Sequence, residues 1–142
     1  MQVKLHRKRR YRHIISIPFI YGVIIPVIIL DFFAEVYHRI CFPLYGLPVL
    51  KRSDYIVFDR MHLSYLNLLE RFNCAYCSYI NGFAAYFAAI VGETEKYWCG
   101  VHHQKYAKGK KPAHHKDFLE FGDKEAFDCL LVKGGRKKRK DK

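Results

Sequence analysis

Ile14-Ile-Ser-Ile-Pro-Phe-Ile-Tyr-Gly-Val-Ile-Ile-Pro-Val-Ile-Ile-Leu30 is an uncharged run in a chain of 142 residues, and its reading decides the fold. A helix over 14–33, which takes in Phe32 and Phe33, is about 30 Å long at about 1.5 Å per residue, the hydrocarbon thickness of a bilayer. The competing reading is a buried core element, since Ile and Val favour strands and Pro18 and Pro26 disrupt soluble helices. A domain of this size has too little protein to enclose such a run, whereas spanning helices tolerate proline. The expectation is therefore a transmembrane or membrane-inserted helix over 14–33. Beyond it, Asp31-Phe-Phe-Ala-Glu-Val-Tyr-His-Arg-Ile-Cys41 has no small-x-small cleavage pattern, so the segment is expected to stay attached as an anchor and not to act as a cleaved signal.

Charge supports this outward from the run. Residues 1–13 carry six Lys/Arg and no acid, residues 133–142 carry seven with one acid, and residues 53–100 hold three bases against five acids, within a net charge of +12. Basic ends suit either anionic lipid headgroups or nucleic acid. A basic flank directly abutting an apolar run selects the lipid bilayer. Trp98 and the tyrosines lie in apolar stretches and not among the lysines, so nucleic acid is not an expected partner. Six bases precede the run and only Arg39, Lys51 and Arg52 follow closely, which places the N-terminus in the cytoplasm. Residues 133–142 read as a disordered basic tail.

Residues 34–52 read as an interfacial linker. Asp31, Glu35 and His38 form one polar stripe at helical spacing, an ordinary interfacial face more than a Glu-x-x-His metal motif. Cys41 to Leu50, interrupted by two prolines, reads as irregular chain. Residues 53–132 read as a small helical Cys/His domain. Within it Asp59 is expected to cap a helix reaching about Asn73. The uncharged 78–92 stretch is expected to hold a second, buried helix, with Asn81-Gly82 arguing for a turn. Asp123 is expected to cap a short amphipathic helix carrying Ala126, Phe127, Leu130 and Leu131. The fold class is mainly α: one N-terminal membrane helix followed by this domain.

The candidate chemistry lies between residues 74 and 103. Cys74-Ala-Tyr-Cys77 is followed after 21 residues by Cys99-Gly-Val-His102-His103. Two cysteines, then a third with a histidine three or four residues on, supply the soft and borderline ligands of tetrahedral zinc, or of iron if the site is rich in thiolate. Buried unliganded thiols are the bland alternative. His114-His115 can contribute ligands, although paired histidines in a basic stretch are usually surface residues.

The chain resembles a family of small bacterial membrane-associated proteins with no assigned activity. The resemblance rests on Pro-x-Tyr-Gly at 43–46, Asp-Tyr-Ile-Val at 54–57, Leu-x-Tyr-Leu-Asn at 63–67, Cys-x-Tyr-Cys-x-Tyr-x-Asn-Gly at 74–82, Thr-Glu-x-Tyr-Trp-Cys at 94–99 and Phe-x-x-Phe-Gly-Asp at 118–123. It implies a bacterial inner-membrane location and a ligand set of Cys74, Cys77, Cys99 and His103, with His102 left as the competing nitrogen donor. Four protein ligands would close a zinc sphere, so the expected role is structural and non-enzymatic. The alternative is a membrane thiol-disulfide oxidoreductase cycling Cys74 and Cys77. One tension stands: a span that leaves the cysteines outside the cytoplasm sits poorly with zinc-thiolate chemistry, which favours a reducing compartment.

Overall fold

Gly22 and Pro26 flank the one-residue interruption of the helical run. In the computed structural model, which describes residues 10–106 and 110–129, α1 (Arg10–Gly22) and α2 (Ile24–Tyr45) are separated only at Val23. Pro26 falls in the first turn of α2, where its missing N–H leaves no helical hydrogen bond unmade. The helix does not stop near Phe33 but continues through the polar stripe to Tyr45, with Pro43 in its last turn. Gly46 ends it in the left-handed conformation (φ 70°), and the N–H groups of Gly46 and Leu47 satisfy the carbonyls of Pro43 and Phe42. The irregular stretch thus begins at Leu47 and not at Cys41.

The helix expected from Asp59 begins later. Asp59–His62 makes only a 3₁₀ turn, and α3 starts at Leu68 and runs to Trp98 without a break. Its start is a reciprocal capping box: Asn67 Oδ1 accepts the Glu70 N–H (2.9 Å) and Glu70 Oε2 accepts the Asn67 N–H (3.0 Å). Asn81-Gly82 makes no turn. A Cβ on Gly82 would lie 2.7 Å from the Tyr55 carbonyl oxygen and 2.8 Å from Ile56 Cα, so glycine serves here to let another segment touch the helix.

The chain divides into two units, Met1–Ile90 and Val91–Lys142. In the first, α3 runs parallel to α1 and α2. Tyr21 meets Asn73, Tyr76 donates to the Ile20 carbonyl, Tyr79 reaches Asp31, and Tyr86 reaches Glu35. Parallel neighbours need a long return, which residues 46–67 provide. The core holds Ala34 and Phe42 of α2 with Phe83, Tyr86 and Ile90 of α3. The outward side of α1 and α2 is apolar and uncovered: Phe19 is 75% exposed, Ile25 63% and Phe33 63%. Both long helical stretches, Ile14–Tyr45 and Leu68–Trp98, are long and apolar enough to cross a membrane.

The second unit has little regular structure besides the end of α3 and a short helix over 124–129. Asp123 caps that helix by accepting the Ala126 N–H (2.9 Å), as expected. Leu130, Leu131 and the basic tail lie outside the described residues.

Candidate metal centre

The three cysteines expected to share an ion are not gathered. Cys74 and Cys77 lie in the first half of α3, and Cys99 follows its last residue. Along an unbroken helix the 21 residues between Cys77 and Cys99 measure about 30 Å, far beyond the reach of a single ion. All five cysteines are unpaired, and Cys77, Cys99 and Cys129 are exposed. His103, the expected nitrogen ligand, lies instead beside Glu95, its Nε2 3.8 Å from Oε1.

Glu95 is the centre of a different constellation, built locally. Gly92, one turn earlier on α3, leaves room for an imidazole: a Cβ there would lie 3.1 Å from His114 Cγ and Nδ1. The helix then ends with the N–H groups of Cys99 and Gly100 both on the Glu95 carbonyl, with Gly100 at φ 60° turning the chain away. Val101 and Leu119 form a parallel bridge, in which Leu119 N–H donates to the Gly100 carbonyl and His102 N–H to the Leu119 carbonyl (both 2.8 Å). Pro112 leads into a 3₁₀ turn, Ala113–His115, that sets the two adjacent imidazoles face to edge with centres 4.5 Å apart.

His114 Nε2 lies 2.8 Å and His115 Nε2 3.1 Å from Glu95 Oε2. The three donor atoms fall within 4.8 Å of one another. His115 is 1% exposed and stacks on Phe118 with centres 4.3 Å apart. Its Nδ1 faces the Tyr106 hydroxyl (3.1 Å), which also meets His102 Nδ1 (2.6 Å). His115 Nε2 is buried, and its 3.1 Å contact with Glu95 Oε2 is an ion-pair contact without good hydrogen-bond geometry. Buried polar atoms normally have well-aligned partners, and this nitrogen has only the Glu95 contact.

No family model, curated protein or solved structure matches this chain. The reading of the site therefore rests on its chemistry. Two imidazoles and a carboxylate are borderline donors suited to zinc, and also to ferrous iron. Ligand atoms on a tetrahedral zinc stand about 3.3 Å apart when each bond is about 2.0–2.1 Å long. The 2.8 and 3.1 Å separations at Glu95 Oε2 are close to that edge, and the third donor pair lies within 4.8 Å. Tyr106 faces the far nitrogen of His115 at 3.1 Å, the position from which an outer hydrogen bond orients an imidazole.

The polar stripe on α2 is a clasp and not a second centre. Arg52 embraces the Asp31 carboxylate with both terminal nitrogens, and Tyr79 donates to Asp31 Oδ2 at 2.6 Å. The hydrogen bond to Asp31 raises the Arg52 pKa further above its already high value. His38 Nε2 accepts the Leu50 N–H (3.0 Å), so a neutral ring carries its proton on Nδ1 and donates to Tyr86 Oη (2.9 Å). Tyr86 in turn donates to Glu35 Oε2 at 2.9 Å. Glu35 and His38 are thus committed to protein partners.

The sequence reading missed Glu95, which it treated as closing a segment, and named His114-His115 as able to contribute ligands while noting that such pairs are usually surface residues. The available signals were Pro112 ahead of two histidines and a lone glycine three residues before a glutamate at a helix end.

Proposed function

We propose that this is a membrane-anchored protein that holds one zinc ion, through Glu95, His114 and His115, in a non-enzymatic role. The single observation that carries the metal is the convergence of one Glu95 carboxylate oxygen with the ring nitrogens of His114 and the buried His115. Ferrous iron is the second candidate for the same donors. The anchor is the α1–α2 helix. Its apolar side chains are largely exposed, which suits lipid and not a core helix. The basic flank of residues 1–13 supports a cytoplasmic N-terminus resting on anionic headgroups.

Nitrogen and oxygen ligands also ease the conflict over compartment. A Cys3His site is sensitive to oxidation outside the cytoplasm, while imidazole and carboxylate donors hold zinc in either redox environment. The test is metal analysis of full-length protein purified in detergent after carbonate-washed membranes have retained it. About one equivalent of zinc is expected in the wild type and in Cys74→Ser and Cys99→Ser, and less than about a tenth in His115→Ala and Glu95→Gln. Loss of the metal with the cysteine variants and its retention in His115→Ala would overturn the assignment.

A further inference from the structure

We infer that His103 is the fourth ligand of this centre, closing the ion to water, an inference that rests on the metal reading above. Three protein ligands alone describe an open zinc site, with a position left for water or substrate. What surrounds Glu95 decides between an open and a closed sphere. His103 Nε2 stands 3.8 Å from Glu95 Oε1, the other oxygen of the carboxylate whose Oε2 faces His114 and His115, so its ring must swing inward to reach the ion. Imidazoles sharing a tetrahedral ion have ring centres about 5 Å apart. The His114–His115 and His103–His115 separations, 4.5 and 5.8 Å, bracket that value.

His103 also has the freedom to complete the movement. Its side chain is 65% exposed, while the adjacent bridge between Val101 and Leu119 fixes its backbone. His102 is placed for the opposite duty. It is 6% exposed, its Nδ1 is held by Tyr106 at 2.6 Å, and its Nε2 faces Glu120 at 3.7 Å. The two consecutive histidines therefore divide the work, His103 on the ion and His102 on the tyrosine that orients His115. A closed sphere leaves no water to activate, which makes the centre a staple between the end of α3 and the 113–115 turn, and not a hydrolytic site.

Cobalt(II) reports coordination directly. The full chain in detergent is loaded with cobalt(II), and its visible ligand-field spectrum is recorded with and without thiocyanate, for the wild type, His103→Ala, His103→Gln and His102→Ala. The wild type is expected to give an intense four-coordinate spectrum that thiocyanate does not change. Both His103 variants are expected to bind cobalt about tenfold or more weakly and to shift when thiocyanate enters the vacated position. His102→Ala is expected to keep the anion-insensitive spectrum. A wild-type spectrum that shifts with thiocyanate, or His103 variants identical to the wild type, overturns the role of His103 while leaving a metal centre in place. Failure of the wild type to take up cobalt or zinc overturns both.

Discussion

Gly92 carries a consequence out of proportion to its size. Glycine in a helix interior costs roughly 0.5–1 kcal/mol against alanine, and here it faces the His114 ring at a distance a methyl group would crowd. Gly92→Ala is therefore expected to leave the helix intact or slightly firmer while weakening zinc binding by about tenfold, since the ring must move off its ligand position. Circular dichroism and a competitive zinc titration on the same protein check the two halves. Equal affinity in the variant would mean that His114 is not held where a ligand must be. At the same scale, Gly82 lies under the Tyr55–Ile56 backbone, which explains why a glycine that looked like a turn signal sits inside a continuous helix. Sequence alone cannot separate these uses, because a turn and a close approach both ask for a missing side chain.

The elements were legible where the signal was periodic and obscure where a cap decided the boundary. The apolar length of 14–33 marked a long apolar helix, and the Asp31, Glu35, His38 spacing marked one polar face, expected at an interface, that packs instead against Arg52, Tyr79 and Tyr86. The start of α3 was misplaced because Asp59 and Asn67 both offer a capping oxygen. Asp59 spends its carboxylate on the N–H of its neighbour Arg60 (2.8 Å), whereas Asn67 has Glu70 three residues on to complete the box. Asn67→Ala is expected to cost about 1 kcal/mol and to speed hydrogen exchange at residues 68–71, with exchange near Tyr86 unchanged. Uniform acceleration along α3, or none at its start, would show that the box does not hold this end.

At the scale of the whole chain, the spacing of Cys74, Cys77 and Cys99 does not bring the three thiols together. Two pairs of ligands separated by 21 residues can meet only if the chain between them turns back, and an unbroken α3 does not turn. The donors that do meet, Glu95 with His114 and His115, are brought together by a helix end, a two-stranded bridge and a 3₁₀ turn, none of which has a periodic signature. His103 was singled out from the sequence and lies at this site, but beside a carboxylate and not beside thiolates. The most direct test is zinc K-edge X-ray absorption fine structure on the full-length protein extracted from membranes. The account predicts a first shell of nitrogen and oxygen only, at about 2.0–2.1 Å, with the outer scattering of imidazole rings. A sulfur shell at about 2.3 Å would place the ion on the cysteines and contradict it.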